Sequence, residues 1–138
     1  MGLFADEQDV YRHVGSLLEE ALADDAMAHR FQRANTVLQY VCRHPESTIT
    51  LSLRTGEAPR VDLGDTQLRP EVVMTMDSDT LHRFFLGKLN PTVALAKGEI
   101  KARGPVAKVL RLVPAVRPLF ALYRARLESA GRGDLLRI

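Results

Sequence analysis

The stretch DSDTLHRFFLGKLNPTVALAKGEIKARGP, residues 77–105, decides the fold. It is apolar, closely punctuated by Gly and Pro, and almost empty of groups that do chemistry. Asp77 or Ser78 is placed to cap a helix, because a short side-chain oxygen accepts from the free backbone N–H groups of a first turn. Leu81, Phe84 and Phe85 come next at i, i+3 and i+4, a single apolar face. Gly87 ends that helix. Asn90 and Pro91 open a second one, Asn as cap and Pro at the first helical position, and Gly98 closes it. EIKAR (99–103) reads as a short alternating strand with Ile100 and Ala102 inward. Gly104–Pro105 opens a third helix carrying Val106, Val109, Leu110 and Val113. Pro114 and Pro118 are expected to break or kink the chain after that helix, and LFALYRARLESAG (119–131) reads as a last helix that Gly131 ends.

Upstream the period changes. STITLSLRTG (47–56) alternates, with Ile49, Leu51 and Leu53 on one face and Thr48, Thr50, Ser52 and Arg54 on the other. That is a strand with one wet face, the habit of an antiparallel sheet. NTVLQYVCR (35–43) before it is β-branched and aromatic and reads as its neighbour, with HPES (44–47) as the turn. RVDLG (60–64) is a short strand. EVVMTMD (71–77) is another, with Val72, Met74 and Met76 on one side. Residues 6–22 form an amphipathic helix through Val10, Val14, Leu17, Leu18 and Ala21, and DDAMAHRF (24–31) a second, with Met27 and Phe31 four apart. The order is α-α-β-β-β-β-α-α-β-α-α. Helices segregated around a mainly antiparallel sheet make an α+β layout.

A chain of 138 residues is the usual size of one domain, and residues 1–138 are read as one. The single cysteine, Cys42, leaves no internal disulfide and suits a reducing, cytoplasmic setting. No apolar run approaches a membrane span of ~20 residues. The N-terminus is acidic and lacks a secretory leader. Arg outnumbers Lys, 15 to 4, the usage of a GC-rich bacterial genome. The net charge of +2 hides an asymmetry: residues 1–100 balance at −5 and residues 101–138 at +7. A basic tail serves nucleic acid, an anionic membrane or an acidic partner, or is simply a solvated face.

Most chemistries are missing. His13, His29, His44 and His82 include no pair three or four apart, so no helical metal pair exists. Cys42 and His44 are only two ligands, and Cys42 reads as a small buried apolar residue. No phosphate-cradling loop and no nucleophile elbow occurs. Aromatics make up 6% of the chain and no strand interleaves them with basic residues, which argues against nucleic acid. No catalytic residue, metal or cofactor is assigned. What remains is apolar surface facing inward, and periodicity does not separate a filled core from an apolar cavity.

The segment VVMTMDSDTLHRFFLGKLNPTVALAKGEIKARGPVAKVLRLVPAV (72–116) resembles the sterol carrier protein-2, or sterol-transfer, family. Gly87, Lys88, Leu89, Asn90 and Pro91 match its Gly-Lys/Glu-Leu-Asn-Pro turn, and Ala94, Gly98, Ile100 and Gly104 match beyond it. A looser likeness begins near Asp24, so the family core covers roughly 24–116. The resemblance implies a five-stranded sheet covered by helices, an apolar tunnel between them that binds lipid, and no catalytic residues. The punctuated stretch would be the tunnel's helical wall. The candidate lining is Leu51, Leu53, Met74, Met76 and Ile100 from the sheet, with Phe84, Phe85, Val93, Val109, Leu110, Val113 and Phe120 from the helices.

Two departures matter. Peroxisomal members end in a Ser-Lys-Leu-like tripeptide, and this chain ends Leu136–Arg137–Ile138. The segment from Pro114 onward runs past the family core, and three roles are open to it: capping the tunnel, contacting a second subunit in a homodimer, or docking on an anionic membrane. For the last, Leu119, Phe120, Tyr123 and Leu127 share one side of a helix, with Arg117, Arg124, Arg126, Arg132 and Arg137 nearby. The expected function is binding or transfer of a fatty acyl, isoprenoid or sterol-like lipid. The alternative is a non-catalytic accessory or dimerisation module with a filled core that supports a partner enzyme.

Overall fold

Asp6 starts the first helix as its periodicity requires: its carboxylate accepts from the Asp9 N–H at 2.9 Å. In the computed structural model, which describes residues 2–138, α1 (Glu7–Val10), a π-helical turn (Tyr11–Gly15) and α2 (Ser16–Ala23) run on as one rod. Val10, Val14, Leu17, Leu18 and Ala21 are each at most 1% exposed, so the apolar stripe is wholly spent on the core. The rod lies close to the sheet because Gly15 has no side chain. A Cβ there would come within 2.8 Å of Leu63. Asp24 caps α3 (Asp25–Gln32) by accepting from the Met27 N–H at 3.0 Å.

Five strands come next: β1 (Val37–Arg43), β2 (Ser47–Ser52), β3 (Arg60–Leu63), β4 (Val72–Asp77) and, after two helices, β5 (Lys101–Arg103). Their order in the sheet is β3-β2-β1-β4-β5. The pairs β1–β2, β2–β3 and β4–β5 are antiparallel, and the central pair β1–β4 is parallel. The chain reaches β4 only after the β2–β3 meander and the loop 64–71, and so re-enters beside β1 in the same direction. Register decides the faces, because residues paired across strands share one. Leu38 pairs with Leu51 and Val72, Tyr40 with Ile49 and Met74, and Cys42 with Met76. These make the inner face. The outer face carries Gln39, Val41, Thr48, Thr50, Val73 and Thr75. It is drier than the alternation of β2 predicts: Thr50 and Ser52 are buried, and Gln39 Nε2 donates to Thr50 Oγ1 at 3.0 Å.

Helix α4 (Ser78–Phe85) begins at Asp77 as expected, but neither proposed side chain caps it. Asp77 Oδ1 instead lies 3.2 Å from His44 Nδ1, and Ser78 Oγ donates to the Pro45 carbonyl at 2.8 Å, tying the helix start to the β1–β2 turn. Helix α5 (Pro91–Lys97) conforms closely to its sequence. Asn90 Oδ1 accepts from the Thr92 and Val93 N–H groups, Pro91 stands in the first turn, and Gly98 ends the helix in the left-handed region. In β5, Ala102 pairs with Met74 on the inner face, as expected, but is exposed at this three-residue edge strand, while Ile100 before it is buried. Gly104 is required at the next turn. Its φ is 94°, and a Cβ would sit 2.1 Å from the Glu71 carbonyl oxygen.

The C-terminal helices differ most from expectation. Helix α6 (Val106–Leu110) is short, and α7 starts at Val113, not near Leu119, and runs to Ser129. Pro114 falls in the first turn of α7, where its missing N–H would have had no partner anyway. Pro118 lies inside the helix, and the helix continues through it because Val116, Leu119, Tyr123 and Leu127 are buried along one side. A 3₁₀ turn, Gly133–Leu136, completes the described chain.

Candidate functional site

Between the inner sheet face and the helices lies an apolar pocket. β1 contributes Leu38 and Tyr40, β2 Leu51, and β4 Met74 and Met76. Leu18 of α2 and Phe31 of α3 close one side. The other is closed by Leu81, Phe84 and Phe85 of α4, Pro91 of α5, Val109 and Leu110 of α6, Val113 and Val116 of α7, and the loop residues Ile100 and Leu112. Its volume is about 30 Å³, enough for a couple of water molecules and far short of a lipid chain. An open tunnel is therefore not what the structure contains. The long side chains of Met74, Met76, Phe84 and Phe85 fill the space between sheet and helices. The aromatic rings rest against one another, with Phe85 edge-on to Phe84 at 5.1 Å and to Tyr40 at 6.4 Å.

Of the lining expected from the sequence, Leu51, Met74, Met76, Phe84, Phe85, Ile100, Val109, Leu110 and Val113 stand at this pocket. Three residues do not. Leu53 is fully buried, but beyond the end of β2, where its N–H donates to the Thr36 carbonyl at 2.8 Å. Val93 is 46% exposed, because α5 turns only Ala94 inward and its neighbour falls about 100° around the helix. Phe120 is half-buried in a groove outside the pocket, its ring 6.4 Å from Phe84 and close against Gly87. Leu18, Phe31, Leu38, Tyr40, Leu81, Pro91, Leu112 and Val116 also line the pocket, though the sequence did not assign them to the lining. For Leu38 and Tyr40 the signal was present: with Cys42 they alternate along one strand face.

The outer groove is part of the same construction. It holds about 450 Å³ open to solvent and is lined by Gly87, Leu89, Thr92, Arg117 and Phe120. Phe84, Pro91, Leu110 and Val113 line both groove and pocket, so a few half-buried apolar side chains are all that separates the interior from the surface.

The titratable groups nearby are kept quiet. Burial pushes the Cys42 thiol up to about 12, against the opposing hydroxyls of Ser47 and Ser78, so it is neither a nucleophile nor a ligand at neutral pH. His44, its neighbour in sequence, is turned out into solvent. Burial lowers the pKa of His82 and holds the ring neutral, with Nδ1 2.7 Å from the Tyr123 hydroxyl and Nε2 2.8 Å from the Leu135 carbonyl. Burial also raises the Tyr40 hydroxyl well above the ordinary tyrosine range. Among the described residues, no three His, Cys, Asp or Glu side chains are grouped to hold a metal, and no helix is long and apolar enough to cross a membrane.

The basic tail is built into the domain. Leu119, Tyr123 and Leu127 are each 0% exposed, so that side of α7 covers the core, while Phe120 beside them is half-buried at the outer groove. Arg124 donates to the Leu86 carbonyl at 2.8 Å, Arg126 pairs with Glu20 at 2.6 Å, and Arg132 bridges Asp9 at 2.7 Å and Asp134 at 3.2 Å.

Helices laid over one face of a five-stranded mixed sheet, with an apolar interior between them, define the α+β class of this domain. The family model of the SCP-2 sterol transfer family matches residues 16–117, and the chain belongs to that family. Its domains are in general non-catalytic lipid-binding and lipid-transfer modules. The sterol carrier protein domain 2 of Helicoverpa armigera superposes with a TM-score of 0.65 at 20% identity, covering 87% of this chain and 96% of that one. The apo form of sterol carrier protein 2 from Yarrowia lipolytica superposes at 0.66 with 17% identity, covering 85% and 96%. At these identities the likeness establishes the fold. Hydroxysteroid dehydrogenase-like protein 2 of Xenopus tropicalis is 28% identical over 106 residues, which is 76% of this chain and 23% of that protein. The chain thus spans about a quarter of that relative's length.

Proposed function

We propose that this domain binds a single long-chain lipid, of fatty acyl, isoprenoid or sterol-like type, in the pocket between the sheet and α4–α7, and carries it between membranes or to an enzyme. The observation that supports this most directly is the lining, in which every residue but Tyr40 has a wholly apolar or thioether side chain. The ligand enters from the outer groove by displacing Phe84, Leu110 and Val113, and lies along Met74 and Met76, whose flexible thioethers adapt to varied shapes. Burying ten methylenes contributes on the order of 8 kcal/mol, against which stands the cost of opening the wall. Steroid chemistry belongs to the whole of the frog relative by its name, and for this chain a steroid-like ligand is one member of the class. The test is to purify the protein, denature it and analyse the organic extract by mass spectrometry, alongside uptake of fluorescent lipids. One lipid per chain by either route is expected. No extractable lipid together with no uptake overturns the reading in favour of a filled core.

A further inference from the structure

We propose that the Tyr40 hydroxyl is the polar anchor of the pocket and selects an uncharged lipid that carries a hydroxyl or carbonyl oxygen, inserted oxygen-first. This rests on the lipid-binding reading above.

Tyr40 sits on β1, the central strand of the sheet, opposite Ile49 and Met74, and is 7% exposed. Its hydroxyl is the sole side-chain oxygen or nitrogen among the lining residues. The other two buried tyrosines satisfy theirs. Tyr11 accepts from the Thr48 N–H at 3.0 Å, and Tyr123 lies 2.7 Å from His82 Nδ1. The Tyr40 hydroxyl has no such partner among the described residues, yet it is not fully enclosed: the enclosed side-chain nitrogen or oxygen without a partner is Arg126 Nε. A hydroxyl that borders open space and is not bonded to protein is available to a ligand, and a phenylalanine in the same place is not.

A ligand oxygen meets the need. The hydroxyl stays protonated at neutral pH and donates, so its complement is an acceptor: an alcohol, ketone, ester or aldehyde oxygen. A free carboxylate fits badly at this depth, because no Lys or Arg lines the pocket to compensate a buried charge. The one cation of the outer groove, Arg117, is at the surface. A fatty acid held there by its carboxylate would enter tail-first and leave Tyr40 unpaired.

The test compares hexadecan-1-ol, hexadecanoate at pH 8 and hexadec-1-ene, each isotope-labelled and delivered from cyclodextrin, by equilibrium binding to the wild type and to Tyr40→Phe. Hexadecan-1-ol is expected to bind the wild type about tenfold more tightly than either other probe, and Tyr40→Phe to erase that preference while keeping hexadec-1-ene binding unchanged. The melting temperature of ligand-free Tyr40→Phe is expected to equal or exceed that of the wild type. Since the preference is read first on the wild type, failure of the variant to fold does not remove the test. Equal binding of hexadecan-1-ol and hexadecanoate to the wild type, or equal hexadecan-1-ol binding by both proteins, overturns the assignment of Tyr40 and leaves lipid binding standing. Binding of none of the three overturns both.

Discussion

Over β2 and β3 the helical rod is held by polar contacts as well as packing; over β1 and β4 the inner surface of the cover has apolar contacts alone. In the first region the Tyr11 hydroxyl accepts from the Thr48 backbone, and Gly15 lets the rod approach Leu63. In the second, Phe84, Leu110 and Val113 are half-buried and no side-chain hydrogen bond crosses the pocket among the described residues. The bonds that hold the second cover lie at its ends and between its helices, not across the pocket: Ser78 with the Pro45 carbonyl, Lys108–Glu71, Arg124 with the Leu86 carbonyl, and His82 with Tyr123. Hydrogen bonds are directional and define one arrangement, whereas apolar contacts trade partners at little cost. A cover whose helices are bonded to one another but meet the sheet through apolar contacts is able to yield to a ligand; one pinned to the sheet through its middle is not.

The largest effect that tests this contrast is loss of a core aromatic. Phe85, 1% exposed, should lose roughly 3–5 kcal/mol on mutation to Ala. Phe84→Ala should lose about 1–2 kcal/mol, because the ring is half-buried, and should change the rate of lipid uptake. Urea unfolding and fluorescent lipid uptake measure both. Equal losses, with uptake unaltered in the folded protein, break the contrast. Next come the tyrosines. Tyr11→Phe and Tyr123→Phe each remove a hydroxyl from a partnered group and should cost about 1–2 kcal/mol. Tyr40→Phe should cost nothing in the same melts. A comparable loss at Tyr40 would mean that the pocket side is pinned as well.

Acidification sharpens the picture through histidine. His82 and His13 have folded pKa values lowered by burial, so the unfolded chain takes up their protons first as pH falls. Their contribution to stability is whole above about 6.5 and is lost as the pH drops from there through the folded values, at no more than ~1.4 kcal/mol per pH unit for each group. Protonated His82 has to donate from Nδ1 to Tyr123, which must then reverse its own hydrogen bond. Urea melts between pH 7.5 and 5 should show the slope, and His82→Gln should flatten it. A wild-type stability flat over that range would contradict the neutral, buried ring. Carboxylates such as Asp62, lowered chiefly by its bond from Arg60, act in a separate and more acidic window.

The smallest expected effect is at membranes. With most of the apolar face of α7 buried, the domain meets a bilayer chiefly through charge, and the exposed cations Lys101, Arg103, Arg111 and Arg117 of β5, the α6–α7 join and α7 supply about 1 kcal/mol each at best. Vesicle flotation should show weak binding to anionic lipid, lost at high salt and in Arg111→Glu/Arg117→Glu, with none to neutral lipid. Equal flotation with both would show that apolar surface opens after all.

The sequence alone determined the elements and most of their ends. Period-two alternation through Ile49, Leu51 and Leu53, and the Asn90–Pro91 and Gly98 punctuation of α5, depend on neighbours a few residues away, and such local rules survive folding. The turn from Gly87 to Pro91 was enough to suggest the family. The tertiary structure decided what local rules leave open. Asp77 and Ser78 were free to cap their own helix until the β1–β2 turn arrived beside them. Pro118 should have ended a helix, but a buried row from Val116 to Leu127 outweighs one missing hydrogen bond. Val93 and Ala94 are equally apolar in a string of letters, and only the docking angle of α5 turns one outward. The pocket belongs to this second kind of knowledge. Whether inward-facing Leu, Met and Phe close into a solid core or leave a seam depends on how closely side chains from the sheet and from α2 to α7 meet. Whether a tyrosine among them finds a partner depends on the same meeting, and at Tyr40 it finds none among the described residues.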